Sequence, residues 1–327
     1  MPIVSIILPC FNSEKLIREA VDSIVKQSVR DWELIIVDDA SVDRSFDVIS
    51  GLIDPRILLV KHSENRGYPT AMNTGLAIAT GKYIARMDAD DVCEPTRLEE
   101  QLNALELYPQ ASFCGVSRYR ITPGGKLYID RRQPKEKYLE ETWDDLMSNA
   151  RRFTDPSVLI EKSKLLEVGG YRTFQRSGMD VDLWLRVMEK FGPCITITKP
   201  LFGKRLEPGS LIFKPQTALI NQVPRALARQ RKLDGQDVVE KGEKIDLVSM
   251  LKKGLIRPTS HLERMALFIG SAVTCLMLLD AKGFRIYYNH AWNVSESSVE
   301  RLKMNFQLLY KLIMRFRHNP YRQFIPL

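Results

Sequence analysis

The chain has few cysteines and no recognisable export segment. Its 327 residues include five cysteines, at positions 10, 93, 114, 194 and 275, and none of them forms a C-x-x-C pair. An odd number without metal-ligand spacing argues against a disulfide framework and against a zinc site. The N-terminus lacks both a basic stretch and a long apolar core, so we expect no signal peptide. These absences predict a protein of the cytoplasm.

The sequence also lacks a clear membrane-spanning segment. Residues 265–279 form an uncharged apolar run of 15 residues, whereas a spanning helix needs about 20. We interpret this run as a buried core helix. Shallow insertion into a membrane is the second interpretation, and a true span is the third.

Positive charge is unevenly distributed. Residues 1–214 hold 30 Lys and Arg against 31 Asp and Glu, whereas residues 215–327 hold 18 against 9. A basic C-terminal third predicts an acidic partner such as an anionic membrane surface, and the alternative is a solvated basic helical face. The tail at 311–324, which mixes basic and apolar residues, is read either as an interfacial anchor or as a docked terminal helix.

The first ninety residues alternate short apolar runs with helical patterns. Strands are predicted at 3–8, 33–39, 57–60 and 83–87, with helices at 14–26, 43–52 and 69–79. Continuous apolar strands separated by helices are typical of a parallel sheet buried on both faces, so the fold class is α/β. No G-x-G-x-x-G follows the first strand, which excludes a typical dinucleotide-binding fold.

The second part of the chain mixes helical and strand patterns. They predict helices at 96–107, 139–149 and 179–190, strands within 111–132 and at 157–161, and two short strands within 194–206. From about residue 215 onward the pattern is mainly helical. The four histidines, His62 among them, have no metal-ligand spacing, and we expect surface positions for them.

Acidic residues follow two of the predicted strands. Asp38 and Asp39 close one strand, and Asp88, Asp90 and Asp91 follow another. Ligands of open α/β sheets bind at the carboxyl ends of the strands, and like charges gathered there require a cation. Carboxylates with phosphate oxygens and water suit Mg²⁺ or Mn²⁺. Two simpler interpretations stay open, a solvated turn at Asp88–Asp90 and a helix cap at Asp39.

The sequence contains a series of blocks in a fixed order. The first are SIILPCFN, Gln27 before DWELIIVDDASVD, and ENRGYPTAMNTGLAIATGKYIARMDADD; the later ones are DPSVLIEKSKLLEVGGYR, MDVDLWLRV and KRLEPGSL. Together these blocks resemble the family 2 glycosyltransferases with the GT-A fold. The resemblance implies a Rossmann-like, mostly parallel GT-A domain over 1–214, followed by a basic, mainly α-helical region over 215–327. Within that domain, residues 1–91 would form the nucleotide-sugar half and 92–214 the acceptor half.

The resemblance also implies roles for single residues. Asp180 matches the general base of inverting relatives, and Asp90, with Asp88, matches the metal motif for Mg²⁺ or Mn²⁺. Asp39 matches the carboxylate that reads the base. The other nucleotide-contacting positions are Pro9 and Asn12 in the first turn, and Asn65, Arg66 and Gly67. A helix-capping role for Asp180 is the alternative.

Four positions depart from the family pattern. Met179 stands where a Glu is usual, Glu207 where many relatives have His, Met72 where Arg is frequent, and Cys10 where Thr or Ser is common. None of them is one of the three aspartates Asp39, Asp90 and Asp180. We therefore still expect activity.

The function implied is inverting transfer of a sugar from a nucleoside-diphosphate sugar to an acceptor hydroxyl. The expected donor is a UDP- or dTDP-sugar, and the expected acceptor is a saccharide or lipid-linked saccharide of a cell-surface polysaccharide or glycolipid. We expect peripheral membrane contact through the basic C-terminal region and no nucleic-acid partner. Two rivals stay open, a sugar nucleotidyltransferase and a non-catalytic binding module with the same fold.

Overall fold

The chain divides into two compact units. In this computed structural model the described residues are 1–129, 134–174, 178–206, 222–246, 249–250 and 253–256, together with positions 282, 284–285 and 288–289. The first unit comprises residues 1–118 and 133–204, and the second comprises 119–132 and 205–327. The boundary at residue 214 between the GT-A domain and the helical C-terminal region stays a prediction.

The first unit begins with a parallel sheet. Its strands are β1 (Val4–Cys10), β2 (Trp32–Asp38), β3 (Ile57–Lys61) and β4 (Tyr83–Arg86), connected by helices α1 (Ile17–Val25), α2 (Ser45–Ser50) and α3 (Tyr68–Ile78). The strands lie in the order β3-β2-β1-β4, and each neighbouring pair is parallel. Every residue of the central strand β1 is buried, as expected for a sheet with helices packed on both faces.

The sheet continues along the chain after β4, and the elements that follow include residues 119–132 of the second unit. The elements after β4 are β5 (Val92–Cys93), α4 (Arg97–Leu107), β6 (Cys114–Ile121), β7 (Leu127–Tyr128), β8 (Tyr138–Glu141), α5 (Trp143–Ser148), a 3-10 turn (Asp155–Ser157), β9 (Leu159–Glu161), α6 (Lys162–Glu167), α7 (Met179–Phe191) and β10 (Cys194–Arg205). The strand order runs on as β4-β9-β6-β10-β5, with β8 against β10. The pairs β4–β9, β9–β6 and β10–β5 are antiparallel. This mixed sheet confirms the α/β fold class.

Two local predictions were wrong. Residues 139–149 are not one helix, because Tyr138–Glu141 pairs with β10 as a strand and the helix α5 begins only after Thr142. The region 194–206 holds one strand rather than two. Proline has no backbone N–H and cannot donate to a neighbouring strand. Pro200 is tolerated in β10 because β8 pairs with β10 only up to Ile197 and β5 pairs only from Phe202, so position 200 lies between the two pairings.

The second unit contains a helix with a small apolar cluster. Helix α8 (Val223–Asp234) contributes Val223, Ala226 and Leu227, which pack with Met250 and Ile256. The apolar run 265–279, the tail 311–327 and Glu207 lie outside the described residues, so their interpretations stay predictions. In the part of the chain that is described, helices are too short or too polar to cross a membrane.

Candidate active site

The candidate site lies where the parallel strands of the first unit end. Strands β1 and β2 pair up to Cys10 and Asp38, and β4 ends at Arg86 on the other side of β1. Turns that follow neighbouring parallel strands share one edge of the sheet, which is where ligands bind in this class of fold. Two groups of polar residues occupy this edge, one after β1 and β2 and one after β4.

The turn after β1 is joined to the turn after β2 by hydrogen bonds. Asn12, with a φ of 51°, donates its N–H to Ser41 Oγ at 3.0 Å and accepts from the N–H of Val42 at 2.9 Å. The N–H of Ser13 donates to Ser45 Oγ at 2.7 Å. Pro9 is buried within β1, and Asn12 is exposed. The predicted nucleotide-contacting turn is therefore a hydrogen-bonded turn with Asn12 exposed and Pro9 buried.

Asp39 organises the second predicted stretch. Its carboxylate is almost fully buried and accepts from the N–H of Arg66 at 2.9 Å and of Gly67 at 2.8 Å. Asn65 Nδ2 donates to the Asp39 carbonyl oxygen at 3.4 Å. The structure thus brings all four predicted residues together. It does not support a helix cap at Asp39, because α2 begins at Ser45, and the side chain that accepts from the N–H of Ser45 is that of Asp43.

His62 is not a surface residue, which corrects the prediction. It is 8% exposed, and its Nδ1 lies 2.7 Å from Asp39 Oδ1 while its Nε2 lies 3.0 Å from Thr74 Oγ1. The pairing of β2 with β3 matches Asp38 with Lys61, so the next residues, Asp39 and His62, are brought side by side. The sequence alone carries no signal of this register.

The second group is an acidic cluster after β4. Asp88, Asp90 and Asp91 each have a carboxylate oxygen within 4.8 Å of the others, and among the described residues these three form the group able to hold a metal ion. The side chain of Asp91 is fully buried, and that of Asp88 is 17% exposed. A set made only of oxygen donors fits Mg²⁺ or Mn²⁺ better than a soft transition metal. Asp91 is therefore a third candidate ligand beside the predicted ligands Asp88 and Asp90.

Asp88 also has three protein partners. The Tyr68 hydroxyl donates to Asp88 Oδ1 at 2.7 Å, Lys204 Nζ lies 3.1 Å from Oδ2, and Arg86 Nη2 lies 3.5 Å from Oδ1. Burial alone would raise the pKa of Asp88, but the charges of Lys204 and Arg86 outweigh it and hold the pKa well below its usual range. Asp88 is therefore ionised at neutral pH.

Asp180 is connected to this cluster through Arg86. The guanidinium is 4% exposed, donates from Nη1 to the Asp180 carboxylate and donates from Nε to the Tyr68 hydroxyl at 2.7 Å. Asp180 lies in the first turn of α7, whose N-cap is Gly178, so it does not cap the helix. One cation thus separates the predicted base from the predicted metal ligand.

The environment of Asp180 adjusts its basicity. Burial raises its pKa, the Arg86 charge opposes that rise, and the negative charges of Asp155 and Asp88 add to it, which gives a pKa of about 6. A carboxylate with a pKa near neutrality is a better proton acceptor than an ordinary one and is still mostly ionised at pH 7. The neighbouring Asp182 has another role, because Arg186 Nε donates to it at 2.9 Å and Arg172 also contacts it.

Sequence reasoning assigned no role to Arg86, Tyr68 or Lys204. A signal existed for Arg86, because this basic residue lies only two positions before Asp88 at the predicted strand end. Tyr68 and Lys204 come from α3 and β10, which are far away in the chain. Their positions depend on tertiary packing.

Sequence comparison gives a consistent set of relatives. The profile of "Glycosyl transferase family 2" matches residues 5–177. EpsE of Bacillus subtilis (strain 168) is 31% identical over 196 residues, which cover 58% of this chain and 68% of EpsE. The Escherichia coli UDP-Glc:alpha-D-GlcNAc-diphosphoundecaprenol beta-1,3-glucosyltransferase WfaP is 36% identical over 121 residues, 37% of this chain and 47% of that protein.

A solved structure shares the fold. The crystal structure of S. aureus TarS 1-349 in complex with UDP-GlcNAc superposes with a TM-score of 0.57 at 14% identity, covering 91% of this chain and 93% of that chain. The same TarS fragment in complex with UDP gives a TM-score of 0.56 at 15% identity, covering 99% of this chain and 92% of that chain. At this identity the similarity concerns the fold.

Proposed function

The chain belongs to glycosyl transferase family 2, and from that premise we propose that it transfers a sugar from a nucleoside-diphosphate sugar to an acceptor hydroxyl with inversion at the anomeric carbon. The observation that carries this proposal is the arrangement of Asp180 and Asp88 on either side of Arg86. An inverting transferase needs a base for the acceptor and an anionic anchor for the cation that accompanies the diphosphate, and the two must be close.

The donor is proposed to be a UDP- or dTDP-sugar bound at the turns after β1 and β2. Asp39 already accepts from Arg66 and Gly67, and a carboxylate has a further lone pair that can accept from the imide N–H of uracil or thymine. Exposed Asn12 and Arg66 border the same turns. The UDP and UDP-GlcNAc named with TarS, and the UDP-Glc named with WfaP, support a uridine donor.

Mg²⁺ or Mn²⁺ is proposed as the cofactor, held by Asp90 and Asp88 with Asp91 beside them. When bound, such an ion neutralises the charge that develops on the departing diphosphate. Protein cations lie at the same place, because Arg86 and Lys204 both contact Asp88. The oxygen-only donor set supports the choice of a hard divalent cation.

Asp180 is proposed as the general base. The acceptor O–H gives its proton to the Asp180 carboxylate, and the oxygen forms a bond to the anomeric carbon. The bond from that carbon to the β-phosphate oxygen breaks at the same time, and its electron pair leaves with the nucleoside diphosphate. Arg86 keeps the carboxylate oriented and opposes the effect of burial on its pKa.

The acceptor is proposed to be a saccharide or lipid-linked saccharide of a cell-surface polysaccharide or glycolipid. The name of WfaP gives a diphosphoundecaprenol-linked sugar as its acceptor, and that of TuaG of Bacillus subtilis (strain 168), 32% identical over 198 residues, refers to teichuronic acid biosynthesis. Contact of the basic C-terminal region with a membrane remains part of this proposal, and those residues lie largely outside the described ones.

The decisive experiment compares Asp180→Asn with Asp144→Asn, which changes an aspartate outside the site in α5. Nucleotide-sugars are first screened with Mn²⁺ for thermal stabilisation, since a ligand at 100 times its Kd adds about 2.7 kcal/mol to the free energy of unfolding. Transfer is then measured as release of the nucleoside diphosphate. We expect Asp180→Asn to keep donor binding but to lose about 10²- to 10⁴-fold in kcat, whereas Asp144→Asn stays at the wild-type rate.

Two outcomes would contradict the proposal. If Asp180→Asn turns over at the wild-type rate, Asp180 is not the general base. If the folded protein binds no nucleoside diphosphate when Mg²⁺ or Mn²⁺ is supplied, the proposed transferase activity is refuted. Pyrophosphate released from a nucleoside triphosphate would instead identify a sugar nucleotidyltransferase.

A further inference from the structure

A lysine ammonium lies within the acidic cluster. Lys204 Nζ is 3.1 Å from Asp88 Oδ2 and 2.9 Å from Asp91 Oδ2. Asp90 adds its negative charge to the same environment. The ammonium therefore contacts two of the three carboxylates whose oxygens lie close enough together to share a divalent ion.

Strand register places Lys204 there. β10 runs antiparallel to the short strand β5, with Gly203 opposite Val92. The next pair along this register is Lys204 and Asp91. Because antiparallel partners face each other across the sheet, the lysine cannot leave the cluster without rotating its side chain away from Asp91.

The side chain of Lys204 is only partly buried. A lysine ammonium is positively charged at neutral pH. Its side chain is 29% exposed, whereas that of Asp91 is fully buried. The side chain of Lys204 is thus more exposed than that of either carboxylate it contacts.

We propose that Lys204, which together with Arg86 contacts Asp88, competes with the divalent ion for that carboxylate. This inference rests on the proposed function. An oxygen bound to Mg²⁺ lies about 2.0 to 2.1 Å from the ion. If such an ion bound Asp88 Oδ2, it would lie close to the ammonium that is hydrogen-bonded to the same oxygen. The two cations would then repel each other strongly.

A consequence follows for the order of binding. With Lys204 in place the cluster holds free metal weakly, and the metal binds well only together with the donor diphosphate. Phosphate oxygens accept hydrogen bonds from the displaced ammonium and so remove the competition. Metal and nucleoside diphosphate then raise each other's affinity, and the coupling is the same in both directions.

The test measures Mn²⁺ binding by electron paramagnetic resonance, with and without UDP, in wild type, Lys204→Met, Lys204→Arg and Lys199→Met. Lys199 lies on the same strand, and its exposed side chain pairs with Glu100 outside the cluster, so its variant is the matched control. We expect Lys204→Met to bind Mn²⁺ at least tenfold more tightly than wild type without UDP, and to show less tightening when UDP is added. Lys204→Arg and Lys199→Met should resemble wild type.

Thermal unfolding verifies that each variant is folded, and Lys204→Gln replaces Lys204→Met if the latter is not. If wild type binds UDP with Mn²⁺ but removing the Lys204 charge leaves the Mn²⁺ affinity unchanged or weaker, the competition is refuted while the proposed function stands. If no form of the protein binds UDP or Mn²⁺, both proposals fall.

Discussion

Arg86 connects the predicted base to the predicted metal ligand, so replacing it by methionine tests the electrostatics of the whole site. The guanidinium lies between Asp180 and Asp88 and is almost completely buried. An opposite charge within hydrogen-bonding distance lowers a carboxyl pKa by about 1 to 3 units. Its loss should therefore raise the pKa of Asp180 from about 6 to a value between about 7 and about 9.

The direction of the pH effect follows from the role of Asp180. A base acts only when it is ionised, so kcat/KM should rise as pH rises through the pKa of Asp180, near 6 in the wild type. In Arg86→Met this rise moves to higher pH. With a shift of 2 units, the ionised fraction at pH 7 falls from about 91% to about 9%, roughly a tenfold loss that recovers in alkaline buffer.

The assay is the pH profile of kcat/KM, followed through release of the nucleoside diphosphate. Arg86→Lys keeps a positive charge and should leave the acid limb near its wild-type position, even if turnover falls. Arg18→Met removes a surface arginine that is 64% exposed and serves as the control. Breaking the buried pair should also cost about 3 to 5 kcal/mol of stability, which urea unfolding measures. An acid limb that stays in place while activity falls equally at every pH would refute this reasoning.

Three other predictions concern the donor turn, the core and the metal. Asp39→Asn should weaken UDP binding, because an amide nitrogen cannot accept the hydrogen bond of Gly67, at a cost of about 1 to 3 kcal/mol; a UDP titration with unchanged affinity would contradict this. Gly115→Ala should lower the free energy of unfolding by about 1 to 3 kcal/mol, since its Cβ would lie 2.3 Å from Cβ of Phe153. Gly51→Ala, whose Cβ meets nothing closer than 3.5 Å, is the control and should be close to neutral in the same urea titration. Removing divalent cations with a chelator should abolish the rise in Tm caused by UDP, and a rise that persists would argue against metal dependence.

Much of the first half of the chain could be predicted from local pattern. The four parallel strands begin and end within about two residues of their expected positions, because continuous apolar runs between helices have few other ways to be buried. The acidic residues at the strand ends were found for the same reason, since the end of a strand is visible in the sequence. Helix α7, with Asp180 in its first turn, follows from helical spacing of apolar residues.

Residues 139–149 show the limit of that approach. Tyr138–Glu141 has no strong strand pattern of its own, and it is a strand because β10 offers a partner. Whether a short polar stretch pairs depends on which strand lies beside it, and local propensity does not contain that information.

The sequence by itself determined the α/β fold class, the family and the aspartates that the proposed reaction uses. Only the tertiary structure decided which side chains accompany those aspartates. Strand register places His62 and Lys204, and the contact of Arg86 with Asp180 depends on packing between elements far apart in the chain. Register is set by the alignment of whole strands, so a residue's neighbour across the sheet cannot be read from the residues beside it in the chain.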